Sequence, residues 1–217
     1  MKKIIIAIGF LLITGTLYAL SSSEPQDKMQ KTYALEGEKM YAQMCAACHG
    51  ATGLGEGKLT GTALNNQKFL SSVSDKDLFN YIKFGRVKAL MPEYESVLTD
   101  EDIQKLTAFV RSWQQKTIKF DAPEKIAGNP ENGERLYGLY CLSCHGESGQ
   151  GKKTMGTMLA NTEYLKYTTD HQIWISTAYG RDKTRMGPSL KGLDGVRQLT
   201  KQEISDVVLF IRGFQEK

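Results

Sequence analysis

The sequence predicts an all-α protein built from two small helical domains in tandem, and three observations carry that prediction. Apolar residues recur at helical spacing before each half ends: Ile103, Leu106, Phe109, Val110 and Trp113 in one, Ile204, Val207, Val208, Ile211 and Phe214 in the other. The second half repeats the first at an offset of 96, from Cys45 to Cys141, which falls to 95 after one residue is lost, from Gly61 to Gly156. No stretch shows the strict alternation of a half-buried strand. At 217 residues the chain is long enough for two domains of about 100 residues, each with its own core.

In chain order, Met1-Lys2-Lys3 and the apolar run Ile4 to Ile13 read as the start of an export signal, with Ala19 or Ser21 as a small residue for cleavage. Residues 4–20 are also long enough, at the short limit, to anchor in a membrane. Residues 1–20 are therefore either a signal peptide or an N-terminal anchor. Both readings place the rest in the periplasm or on the outer face of the cytoplasmic membrane. Residues 21–33, polar and opening on Ser21-Ser22-Ser23, read as a flexible tether. The first domain is expected over 34–116, a linker over 117–129, and the second domain over 130–217, opening on the cap Asn129-Pro130.

Within each domain a helix carries Gly37 and Tyr41, or Gly133 and Tyr137. A glycine-rich loop follows further on. It precedes no helix and follows no strand, so flexible backbone around a bound group explains it better than a phosphate cradle. Ser74 caps a helix bearing Leu78, Phe79 and Ile82, which Gly85 ends as Gly180 does in the second copy. Thr99 with Asp102, and Thr200 with Glu203, are capping boxes for the last helices.

All four cysteines fall in two copies of one pattern, Cys45-Ala46-Ala47-Cys48-His49 and Cys141-Leu142-Ser143-Cys144-His145. Cys-x-x-Cys-His is the attachment signature of a c-type haem. Two thiols add to the porphyrin vinyl groups, and the adjacent His is then held beneath the ring. A thioredoxin-like pair would need a βαβ setting, and one shared zinc would not explain a complete second copy with its own His. The expected cofactors are two covalently bound haem c groups.

His49 and His145 leave only His171 among the histidines, and it cannot serve two irons. Of eight methionines, Met91 and Met186 alone hold equivalent places, 42 and 41 residues after His49 and His145. A thioether opposite a His raises the reduction potential and closes the iron. The expected axial set is thus His49 with Met91 and His145 with Met186. Met155 and Met158 read as gap-filling residues. Arg86 and Arg181, five residues before each Met, are either propionate contacts or solvated residues at a helix end. Lys83, Arg86 and Lys88, with Arg181, Lys183 and Arg185, form either a rim that steers an acidic-surfaced redox partner or a plain solvated face.

Removing Lys2 and Lys3 with residues 1–19 leaves 26 basic against 24 acidic groups, a near-neutral balance that gives no sign of nucleic-acid binding.

The chain resembles a di-haem class I c-type cytochrome over nearly all of residues 35 to 217. The resemblance rests on Gly37-x-x-x-Tyr41, Cys45-x-x-Cys48-His49, Leu90-Met91-Pro92 and the Leu106-to-Trp113 helix, with Gly133-x-x-x-Tyr137, Cys141-x-x-Cys144-His145, Met186 and the Val207-to-Phe214 helix. It implies that the first and last helices of each domain cross at the Gly and aromatic positions. Met186 departs from the pattern, being followed by Gly187-Pro188 and by a loop six residues longer than its counterpart, with Leu199 13 residues after Met186 where Leu98 follows Met91 by 7. The function implied is one-electron transport between respiratory redox partners. The alternatives are a haem-bearing subunit of a membrane oxidase or dehydrogenase, and a peroxidase-like enzyme with one open iron.

Overall fold

The computed structural model describes residues 23–57 and 61–216, so the leader, expected over 1–20, lies outside the described residues. The elements are α1 (Ser23–Met44), α2 (Ala46–His49), α3 (Gln67–Ser72), α4 (Asp75–Phe84) and α5 (Asp100–Ser112), then α6 (Pro130–Tyr140), α7 (Leu142–His145), α8 (Thr162–Tyr167), α9 (Asp170–Tyr179) and α10 (Lys201–Arg212). Short 3-10 turns cover Val87–Ala89 and Gly213–Glu216. Among the described residues β structure is confined to three isolated bridges. No described helix is long and apolar enough to cross a membrane.

Local sequence sets the helix ends. Ser74, Thr99 and Thr200 close reciprocal capping boxes with Asp77, Asp102 and Glu203. Gly85 and Gly180 stop α4 and α9 at φ of 59° and 66°, values that suit glycine. The short helices α3 and α8 add a step to the helix, loop, helix, loop, helix expected of each half. Their N-caps are Asn66 and Asn161, whose side chains accept from Phe69 N and Tyr164 N.

One segment differs from its sequence reading. Residues 23–33, expected as a flexible tether, form the first turns of the 22-residue α1. Pro25 falls in the first turn, where its missing N–H would have had no partner, and Asp27 suits the positive helix start. Good helix formers then outweigh the polar composition that suggested a tether. This extension stays exposed from Asp27 through Thr32.

Each half has its own core. Tyr41, Leu70, Leu78, Leu106 and Val110 lead the first; Tyr137, Leu165, Trp174, Ile204 and Val207 lead the second. The first and last helices of each half cross at glycine. A Cβ on Gly37 would lie 2.0 Å from Lys105 O, and one on Gly133 would lie 2.0 Å from Asp206 O, so only glycine permits the approach. Tyr41 packs against Phe109 and Trp113 at 5.2 Å, as Tyr137 does against Phe210 at 5.2 Å and Phe214 at 5.6 Å. The two hydroxyls reach forward to Gly50 O at 2.8 Å and Gly146 O at 2.7 Å, tying the crossing to the residue after each motif histidine.

The halves meet in a near-symmetric way, α3 against α9 and α4 against α8. Phe84 stacks on Tyr167 at 4.4 Å, Tyr81 bonds Gln172, and Lys68 joins Asp182 at 2.7 Å and Tyr179 O at 2.9 Å. The segment between α5 and α6 is laced to both sides: Ile118 N donates to Ser71 Oγ at 3.0 Å, and Asp121 N to Tyr179 Oη at 3.0 Å. His171 sits at the start of α9, where Nε2 meets Pro123 O at 2.7 Å.

Candidate haem sites

Each histidine is presented by a single helical turn, α2 or α7, that begins at the first cysteine of its motif. Gly50 and Gly146 follow at φ of 83° and 81° and turn the chain back across the motif. The returning loop packs so closely that a Cβ on Gly61 would lie 2.4 Å from Cys48 O, and one on Gly156 would lie 2.6 Å from Cys144 O. That approach lets Thr62 O and Thr157 O meet the Nδ1 of His49 and His145, each at 2.8 Å. A carbonyl only accepts, so Nδ1 carries the hydrogen and Nε2 keeps its lone pair for a metal. Burial holds both imidazoles below their ordinary pKa against those bonds, and the cations of Arg86 and Arg197 add to the lowering.

None of the four cysteines pairs in a disulfide. Burial pushes Cys45 and Cys141 up to about 11, so neither is a ready thiolate. Among the described residues no group of three or more His, Cys, Asp and Glu side chains converges as for a metal ion. The pairs stay apart, one in each half.

The turns after Gly85 and Gly180 carry the methionines. Arg86 N donates to Met91 O at 2.8 Å and Met91 N returns to Arg86 O at 3.2 Å; Arg181 N donates to Met186 O at 2.7 Å. Leu90, just before Met91, is held at φ 64°, a left-handed conformation that a branched residue adopts only under constraint. Met186 N is instead held by Thr184 Oγ1 at 3.1 Å.

A single cavity runs across the junction of the halves, lined on one side by His49, Arg86 and Met91 and on the other by His145, Arg181 and Met186. Cys141 and Cys144 also line it. Cys45 packs against the first core, and Cys48 lies under the loop at Gly61. Met155 borders the same cavity, two residues before Thr157, whose carbonyl meets His145.

Both matched arginines line the cavity. Arg86 and Arg181 are half-buried in the cavity wall with their Nε atoms sealed off and unpartnered, so the solvated helix-end reading does not describe them. Burial pushes Arg181 down to about 10. Among the described residues neither forms an ion pair. Each lies over an aromatic ring of the other half instead, Arg86 over Tyr164 at 4.6 Å and Arg181 over Phe69 at 4.4 Å. Two half-buried cations without a counter-ion favour an anion beside them. A porphyrin with two propionates, bound to cysteines and a histidine at one wall, meets that need, so the residues present fit the group.

Sequence reasoning missed several residues around the cavity. Tyr164 and Phe69 share a repeat position but differ in type, and Thr62 and Thr157 act through backbone carbonyls that leave no mark in a sequence. Arg197, in the longer second loop, donates to Gly187 O at 2.6 Å and lines the cavity. The rim changes as well, since Arg86 and Arg181 are withdrawn from it and Lys83 is held by Asp100 at 2.9 Å.

Two family models match the chain, "Cytochrome C oxidase, cbb3-type, subunit III" over residues 33–110 and "Cytochrome c" over residues 130–215. Among curated proteins it is 27% identical over 150 residues to the Rubrivivax gelatinosus cbb3-type cytochrome c oxidase subunit CcoP, covering 65% of this chain and 44% of that protein. The subunit FixP of Bradyrhizobium diazoefficiens is 24% identical over 151 residues, 65% of this chain and 49% of that protein. CcoP of Azospirillum sp. is 25% identical over 198 residues, 85% and 62%. The chain thus spans about half the length of the curated relatives it matches. Its fold is shared with a chain of the Kuenenia stuttgartiensis reducing HAO-like protein complex, at a TM-score of 0.51 and 18% identity over 82% of this chain and 95% of that one. With a cytochrome c-type match in each half, joined to a doubled Cys-x-x-Cys-His site in an all-helical frame, the chain belongs to the class I c-type cytochromes, as two cytochrome c domains in tandem.

Proposed function

We propose that this protein is the di-haem electron-transfer component of a membrane terminal oxidase of the cbb3 type, exported so that its haem domains lie on the outer face of the cytoplasmic membrane. The observation that carries the electron-transfer part is the doubled His and Met lining of one cavity. A haem c bound at each site supplies one-electron redox chemistry. His49 and His145, with Nε2 left free, and Met91 and Met186 would hold the iron of each haem, and Arg86 and Arg181 would neutralise propionates. Closed by these side chains, neither iron would offer a place to a small substrate, as a peroxidase-like enzyme would need. The domains order as 34–116 and 130–217 around the linker 117–129.

The oxidase assignment is favoured over a free carrier by the CcoP and FixP names of the relatives. Redox proteins with acidic surfaces remain the expected electron donors, met by the exposed Lys88, Lys183 and Arg185. Mild-detergent extraction tests the role: the chain should copurify with oxidase subunits, and membranes lacking it should lose oxygen uptake from a reduced c-type donor. Recovery as a free protein, with uptake unchanged by its deletion, would favour the carrier reading.

A further inference from the structure

The two sites are near copies, so the places where they differ in charge set them apart. The clearest lies at the carbonyl just before each first cysteine. Met44 O, before Cys45, is approached by the neutral Tyr94 hydroxyl at 3.4 Å. Its counterpart Tyr140 O, before Cys141, is approached by the Arg197 guanidinium at 3.5 Å, which is anchored by its second bond to Gly187 O, next to Met186. A phenol in one domain is thus replaced by a fixed cation in the other, spanning from the methionine loop to the cysteine motif at the cavity wall. Arg86 and Arg181 hold equivalent repeat positions, each over a ring of the other half, whereas Arg197 is a cation where the first domain has the neutral Tyr94. A second difference has the same sign but a smaller effect, because both side chains are exposed and screened by water. The loop after His49 is pinned by the Glu56 carboxylate, through Thr52 N at 2.6 Å and Leu54 N at 2.8 Å, whereas the loop after His145 is pinned by the neutral Gln150, through Ser148 N at 3.0 Å. Glu147, Lys152 and Lys153 nearby are exposed and screened by water.

We propose that Arg197 makes the second domain the higher-potential site, so that an electron entering at the first domain comes to rest in the second. A positive charge beside an iron favours the oxidation state with one less positive charge, the reduced one. The transfer balances internally: the first site loses one electron as the second gains it, with no other reactant. The inference rests on the two-haem reading above, which haem counting and carbon monoxide binding test before any potential is measured.

The test is a redox titration of the holoprotein followed by NMR, with the methyl signals of the two iron-bound methionines assigned by their loss in Met91→Ala and Met186→Ala. Arg197→Gln should lower the second-site reduction equilibrium about fivefold, or about 40 mV at 59 mV per tenfold for one electron, leaving the first site in place. Arg197→Lys, which keeps the charge, should stay near the parent value. Tyr94→Arg should raise the first site and narrow the gap. Equal falls in the Gln and Lys variants would make Arg197 a structural strut and overturn the proposal, as would no shift in Arg197→Gln. If that variant yields no holoprotein, Tyr94→Arg decides, and an unmoved first-site potential overturns it.

Discussion

Glu56 shows how much one side chain can hold in a loop without regular structure. Its carboxylate accepts from Thr52 Oγ1, Thr52 N and Leu54 N, and those bonds, the Thr52 side chain first, hold its pKa down to about 2 from 4.5. A carboxylate with a depressed folded pKa stabilises above its ordinary value and loses that contribution as pH falls through its folded value. Hydrogen-exchange protection at Thr52 N and Leu54 N should therefore fade from about pH 4.5 toward about 2, while Ser148 N, held by Gln150, should not follow. Parallel loss at all three amides would contradict the assignment. At this scale the motif histidines, the cysteines and the paired methionines were legible as a candidate set, because covalent and metal chemistry restricts residue type. Thr62 and Thr157 were not, since any residue offers a carbonyl. Arg197 was hidden because its counterpart in space, Tyr94, sits at a different point of a shorter loop.

At the scale of elements, a matched pair of arginines replaces backbone continuity between the two middle helices of each half. Arg111 reaches Asp75 at 2.7 Å, Leu70 O at 2.5 Å and Val73 O at 2.8 Å, so it caps the end of α3 and fixes the start of α4. Arg212 makes the same three contacts with Asp170, Leu165 O and Thr168 O between α8 and α9. Replacing either with Ala strands two partly buried carbonyls and should cost about 2 kcal/mol in denaturant unfolding. Lys should not restore it, because a single ammonium lacks the fork. A loss no larger than that of an exposed Lys→Ala change would refute the strut. Most helices were legible through their caps and apolar spacing. α3 and α8 were not, since six residues give too little period, although the matched Asn66 and Asn161 were the signal. The start of α1 was misread because its composition suits a tether, while Pro25 and the acids before Lys28 equally suit a helix start.

For the whole molecule, the consequence is that the two domains act as one body. The Phe84–Tyr167 stack, the Tyr81–Gln172 bond, the Lys68–Asp182 pair and the crossed arginines over Tyr164 and Phe69 all join opposite halves. The chain should therefore unfold in a single transition, and Phe84→Ala combined with Lys68→Ala, removing about 1–2 kcal/mol of cross-domain contact, should separate it into two. A single transition at an unchanged midpoint would contradict the coupling. The tandem plan was legible from the repeat, whereas the junction was not: its contacts pair non-equivalent helices, which no comparison of one half with the other reveals. The central claim is that both irons are closed by protein, His49 with Met91 and His145 with Met186. Adding carbon monoxide to the fully reduced holoprotein at neutral pH tests it most directly. Two low-spin haems per chain, a sulfur-to-iron band when oxidised, and no spectral change on adding the gas are expected; ready binding at either haem would contradict closure by protein.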